Sequence, residues 1–200
     1  EKGKLKAMGL ALQKRDSTKL CKEAMSDFFK QAIENGDKDT AVSNLKSLIQ
    51  KLYNEQLDYS YFKLSKKISK APKEYKIVPG HVKVWLAFRE RVGVTEAPSV
   101  GEHFAYLIQR LNKKQKVGDV LIEYQEGIDA KASIDKDHYF KISILNPLEK
   151  TIQIILGEKQ AAELLNKNNY HQVQSVVATK RNLLGFFGKT SYKSVKKQKK

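Results

Sequence analysis

Two apolar stripes at helical spacing, separated by a turn signal, organise the first third of the chain. Leu20, Cys21, Ala24, Met25, Phe28, Phe29, Ala32 and Ile33 recur every three to four residues, a spacing that lines one face of an α-helix and matches no strand. Asp16, Ser17 or Thr18 supplies the N-cap, and Asn35-Gly36 ends the helix with a residue free to take a left-handed backbone. The second stripe, Ala41, Val42, Leu45, Leu48, Ile49 and Leu52, opens at Asp39 or Thr40 after a short polar turn. The spacing therefore predicts an antiparallel helical hairpin.

Residues 8–14 alternate at Met8, Leu10 and Leu12 and read as a short strand. Aromatic residues 59–64 favour an extended run, which leads into a basic loop at residues 65–70, because Pro72 prevents a long helix there. Val82, Trp85 and Phe88 mark one face of a helix over residues 81–91, stopped by Gly93. Residues 103–108 alternate like a strand. Asp135 caps a helix with Tyr139, Ile142 and Leu145 on its face, and Asn146-Pro147 starts another that Gly157 ends. Residues 161–165 continue as a further helix. The expected fold class is mainly α with a few short strands (α+β), followed from residue 189 by a lysine tail without an acid that reads as disordered.

Charge narrows the partners. The net charge is +16, and without the six lysines of residues 189–200 it is still +10, a balance that suits a polyanion. With 40% hydrophobic and 30% charged residues the chain can bury an ordinary core, so disorder throughout is excluded. No apolar window approaches the length of a membrane span and no secretory signal opens the chain. The expectation is a protein that is neither secreted nor membrane-bound. The opening Glu-Lys-Gly-Lys, without methionine, is compatible with a piece of a larger protein.

Catalytic signatures are sparse. The single Cys21 allows no internal disulfide, and His81, His103, His138 and His171 stand too far apart in sequence for a local metal site. Asp37 with Asp39, and Asp135 with Asp137, fall where helices begin and read as caps. No nucleophile, base and orienting partner are grouped. Residues 59–76 are different, carrying six lysines against Glu74 alone, interleaved with Tyr59, Tyr61, Phe62 and Tyr75. Lysines in such a run suit phosphates, while the aromatics read as core anchors. Lys113, Lys114 and Lys116 read as a solvated hairpin tip.

The order of these elements and their local motifs resembles the C-terminal thumb of family B DNA polymerases, preceded by the last strand of the palm. Gly9 with Gln13-Lys14-Arg15-Asp16 is similar to the family's glycine followed by a basic-Arg-Asp run. Leu64-Ser65-Lys66-Lys67 is similar to its Thr-Lys segment, with serine where threonine is usual, and His81-Val82 to its His-Val. Pro98-Ser99-Val100-Gly101-Glu102, Tyr106-Leu107-Ile108, Ile134-Asp135 with Tyr139, and Pro147-Leu148 follow in family order, His138 replacing the first tyrosine of a Tyr-Tyr pair. The resemblance covers residues 7–157 and is nearest to the delta-like branch; an ending in lysines rather than in cysteine-rich metal modules points to a large DNA virus as source.

The resemblance implies a division into residues 1–16, the end of the palm; 17–188, the thumb; and 189–200, the basic tail. It implies a DNA-directed DNA polymerase as the intact protein, located at a nuclear or cytoplasmic replication site. The catalytic carboxylates and their Mg²⁺ ions then belong to palm motifs absent from this sequence, so this segment needs no cofactor and is inactive alone. Its partners are the primer-template duplex and the parent's palm, fingers and exonuclease domains. Ser65, Lys66 and Lys67 fall at a minor-groove-facing loop, Lys14 and Arg15 near the primer strand, and His81 either at the DNA or bonding backbone. Asp16 orients Arg15 or caps the first helix. Arg89 and Arg91 reach phosphate or decorate a solvent face. Leu183, Phe186 and Phe187, in Lys180-Arg181-Asn182-Leu183-Leu184-Gly185-Phe186-Phe187, resemble a sliding-clamp-binding box with lysine in glutamine's place, or else pack on the thumb's own core. The rival readings are an independent basic protein associated with RNA or the ribosome, and a protein-interaction module.

Overall fold

The computed structural model describes residues 16–111 and 115–170. The strand at 8–14, Lys14, Arg15, Lys113, Lys114, the Leu183, Phe186 and Phe187 box and the lysine tail lie outside the described residues. The chain divides into two compact units, residues 1–165 and 166–200, and the elements below belong to the first.

Helix α1 (Lys19–Phe29) begins where the Thr18 hydroxyl accepts the Cys21 N–H at 3.0 Å, so Thr18 is the cap among the three candidates. It buries Leu20, Cys21, Ala24, Met25, Phe28 and Phe29 and widens into a π-turn over Lys30–Glu34. Helix α2 (Lys38–Tyr53) opens before Asp39 and Thr40, because Asp37, the other acid read as a cap, accepts the Thr40 N–H on its carboxylate at 2.9 Å. Its face Ala41, Leu45, Leu48, Ile49, Leu52 and Tyr53 is buried. Side chains of this kind stabilise the fold by about 1.5–3 kcal/mol each when fully buried, which is what holds the expected hairpin together.

Helix α5 (Lys136–Phe140), a π-turn over Lys141–Leu145 and helix α6 (Asn146–Leu156) form one run packed on α1. Asp135 caps it, accepting the His138 N–H at 2.9 Å. The expected face Tyr139, Ile142, Leu145 is corrected: Tyr139, Phe140, Ser143, Ile144 and Leu148 are buried, whereas Ile142 and Leu145 are half-buried. The π-turn adds one residue to a helical turn, with the Asn146 N–H reaching back five residues to the Lys141 carbonyl, and so rotates the stripe. Pro147 follows at once. Its ring would press on a carbonyl four residues back in a regular helix, and the wide turn beside it absorbs that clash. Helix α7 (Glu158–Leu164) follows Gly157.

Between the hairpin and this run lies a small sheet. Strands β1 (Leu64–Lys67), β2 (His103–Ile108) and β3 (Leu121–Glu123) pair antiparallel in the order β1-β2-β3. The register sets Leu64 opposite Tyr106, Lys66 opposite Phe104 and Lys67 opposite His103. Two expectations are corrected here. Residues 59–62 form a 3₁₀ turn, because the Asp58 carboxylate accepts the Ser60 N–H at 2.8 Å. Residues 65–67, expected in the basic loop, are strand and continue from Leu64, since β2 supplies a pairing partner some forty positions away.

Helix α3 (Gly80–Val92) buries Val82 and Trp85 and stops at Gly93, whose φ of +99° is left-handed territory. Its first residue, Gly80, lies so close to Gly118 that a Cβ there would stand 2.7 Å from the Gly118 Cα. Helix α4 (Tyr124–Asp129) follows β3 directly.

Candidate nucleic-acid interface

Strand β1 builds the site because a strand sends successive side chains to opposite faces. Lys66 shares a face with Phe104 and Tyr106, and Ser65 and Lys67 share the other with His103 and Ala105. The polar side chains thus straddle the outer strand of the sheet, which among the described residues pairs with β2 alone. A cleft of about 380 Å³ gathers them: Ser65, Lys66, Lys67, Ser69, Tyr75, Pro79, His81 and His103 line it together with Asp16. Lys66, Lys67 and His103 are exposed. The Ser65 hydroxyl stands 3.4 Å from Nδ1 of His103.

Helix α3 brings His81 to this cleft in its first turn. Its ring lies nearly parallel to that of Tyr106, the centroids 6.2 Å apart. Burial, and then the Lys66 ammonium, hold the His81 imidazole below its ordinary pKa, so its neutral form is favoured. Burial, with a smaller contribution from Asp16, pushes the Tyr106 phenol up to about 12. Pro79 precedes the helix without a side-chain cap, and no acid stands in the first turn. The positive end of α3 therefore adds to the lysines rather than being neutralised locally.

The frame around the cleft is braced. Ile68, fully buried at the end of β1, donates its N–H to the Glu102 carbonyl at 2.9 Å and accepts from Gly101 at 2.7 Å. The Trp85 indole N–H donates to the Pro98 carbonyl at 2.8 Å, tying α3 to the same turn. The Tyr75 hydroxyl accepts the Lys70 N–H at 3.2 Å. Of the other aromatics in the basic stretch Phe62 is a core anchor, as expected, meeting Tyr139 edge-on at 5.0 Å; Tyr59 and Tyr61 are half-buried, their hydroxyls donating to the Ala132 carbonyl at 3.0 Å and the Glu23 carboxylate at 2.9 Å.

Ser65, Lys66, Lys67 and His81 are thus brought together, and Arg89 and Arg91 are not. They lie about 12 to 15 Å further along α3, from the helical rise per residue. Arg91 pairs with Glu126 on α4 and covers the Phe88 ring, while Arg89 covers Trp85. Asp16 is not the cap, a place Thr18 takes, and it lines the cleft; its other reading, as the partner of Arg15, rests on a residue outside the described ones. His103 was missed, because only the register of β1 on β2 shows that it faces Lys67.

The acidic pairs serve as the sequence suggested at Asp37 and Asp135, each of which caps a helix, while Asp137 accepts from the Tyr53 hydroxyl at 3.0 Å. Among the described residues no group of three His, Cys, Asp or Glu side chains is placed to hold a metal ion. Among the described residues no helix is long and apolar enough to cross a membrane. What the cleft offers chemically is an anion seat of two ammonium groups, hydroxyls, imidazoles and a helix N-terminus, with the Asp16 carboxylate as its one acidic lining group.

Comparison with known proteins fits this order of elements. The model of DNA polymerase family B matches residues 1–155, and the chain belongs to that family. It is 26% identical over 173 residues to a DNA polymerase of Acanthamoeba polyphaga mimivirus, covering 82% of this chain and 10% of that one. It is also 26% identical over 191 residues to the DNA polymerase delta catalytic subunit of Drosophila melanogaster, covering 93% of this chain and 17% of that one. The chain therefore spans less than a fifth of the length of these relatives. The fold is similar to part of the family B DNA polymerase of the archaeon Pyrobaculum calidifontis, with a TM-score of 0.53 at 21% identity, over 70% of this chain and 18% of that one.

Proposed function

We propose that this chain is the thumb segment of a DNA-directed DNA polymerase, and that it grips primer-template duplex through the phosphate backbone without reading sequence. The observation that carries the reading is the convergence of Ser65, Lys66, Lys67, His81 and the uncapped start of α3 on one cleft at the outer strand of the sheet. Ammonium groups, hydroxyls and helix N-termini recognise phosphate and carry no base code. Family membership supports a polymerase over an independent RNA- or ribosome-associated protein.

In this reading residues 1–16 close the palm, residues 17–188 are the thumb, and 189–200 are a basic tail. Lys14 and Arg15 add contacts near the primer strand, and Arg89 and Arg91 serve chiefly to hold α3 against its own aromatics and α4. Leu183, Phe186 and Phe187 form either a contact for a sliding clamp or an apolar end-piece of the thumb. Chemistry belongs to carboxylates and Mg²⁺ elsewhere in the parent, so the chain alone incorporates no nucleotide.

Equilibrium binding to mixed-sequence duplexes over a range of salt tests the grip. If about 4 to 6 phosphates are neutralised, log affinity falls against log salt with a slope of about −4 to −5, equally for unrelated sequences. Salt-indifferent binding, or strong preference for one sequence, would contradict the reading.

A further inference from the structure

Ile77 stands 86% exposed, the most exposed large apolar side chain among the described residues. Exposed apolar side chains are common singly, but the setting of this one is specific. It follows Lys76 in the basic stretch, and Tyr75 and Pro79, each two residues away, both line the cleft. Two residues of chain span at most about 7 Å, so Ile77 lies at the rim. Its position is fixed from both sides: the Tyr75 hydroxyl holds the Lys70 N–H, and the Pro79 carbonyl accepts from Val82 and Lys83 at 3.0 and 3.1 Å as α3 begins. The segment presents an apolar group to water on a braced support beside an anion seat.

A duplex seated by its phosphates in that cleft brings the surface next to the phosphates onto Ile77. That surface is sugar. Deoxyribose offers carbon–hydrogen faces that are the same at every base pair, which suits an apolar contact in a sequence-indifferent grip. Ribose offers a 2′-hydroxyl, a donor and acceptor that tells RNA from DNA and that isoleucine leaves without a partner. We infer that Ile77 packs against deoxyribose at the edge of the gripped duplex and makes the grip favour DNA over a ribose-containing strand; this rests on the duplex-grip reading above.

The test is fluorescence anisotropy of the full 200-residue chain with an all-DNA primer-template and with the same duplex carrying one ribonucleotide strand, at several salt concentrations. Ile77→Ala is expected to weaken all-DNA binding by about 3- to 10-fold, the range for losing the burial of about one to two CH₂ groups in a partly covered contact, with the salt slope unchanged. It should weaken the hybrid less, so that the DNA preference narrows, and Ile77→Val should fall between. Being exposed, the site tolerates either change without loss of folding, checked by thermal melting. Wild-type affinity in Ile77→Ala, or equal loss on both duplexes, overturns the inference alone. A wild-type chain that binds neither duplex overturns the grip reading and the inference with it.

Discussion

The hydroxyls of Thr18 and Ser143, 125 positions apart, share a buried hydrogen bond of 2.8 Å. Thr18 also caps α1, so one side chain fixes both where the first helix starts and how the π-turn before α6 sits upon it. Thr18→Val keeps the shape and strips both roles. It is expected to cost about 1–3 kcal/mol in urea unfolding, from a lost cap and an unsatisfied buried hydroxyl. Thr18→Ser should cost less. The double variant Thr18→Val with Ser143→Ala should cost less than the sum of the singles; strict additivity would show that the two hydroxyls act independently.

Gly80 places α3, and with it His81, against the turn at Gly118. A Cβ at Gly80 meets backbone, which cannot rotate away. Gly80→Ala should destabilise by about 1–3 kcal/mol, the range for overpacking, even though alanine is the better helix former. Unchanged or raised melting temperature would mean that α3 moves freely at its start.

Acid should weaken the fold through two imidazoles. Burial is the main cause that lowers the pKa of both His81, where Lys66 adds to it, and His138, where Lys141 adds and Asp135 opposes. A folded-state pKa below the unfolded one means that the unfolded chain binds more protons as pH falls. The stabilisation is complete above about 6.5, the unfolded value, and is lost as pH falls through the folded values. Urea midpoints should therefore drop from pH 7.5 to 5, and His81→Gln with His138→Gln should flatten the profile relative to wild type. An unaltered profile in the double variant would assign acid sensitivity to other groups.

The helical hairpin was legible because its information is local: stripes, caps and Gly36, whose φ is +70°, act within one or two turns. The basic stretch was legible as chemistry and not as structure. Leu64-Ser65-Lys66-Lys67 has no apolar alternation to mark a strand, and it becomes one only by pairing with residues 103–106. The same non-local register hides His103, which stands opposite Lys67 on the neighbouring strand. Local spacing also missed the face of residues 136–156, since a single extra residue in the π-turn moves Ile142 and Leu145 off the buried stripe. The sequence leaves Arg89 and Arg91 between phosphate and a solvent face, and the structure sets them against adjacent aromatic rings and Glu126.

Whether the rim of β1, rather than net charge, holds the duplex is decided by comparing two charge reversals of equal size. Lys66→Glu with Lys67→Glu alters the cleft, and Lys46→Glu with Lys150→Glu alters exposed positions on α2 and α6. Affinity for mixed-sequence primer-template duplex is measured for both against salt. The expected result is a loss of at least about 10-fold at low salt for the cleft pair, with a salt slope shallower by about 2, one unit for each phosphate contact removed. The control pair should stay within about 2-fold of wild type with its slope intact, since screening beyond about 10 Å leaves remote charges little effect. Equal losses for the two pairs, or full affinity in the cleft variant, would contradict a duplex grip at β1.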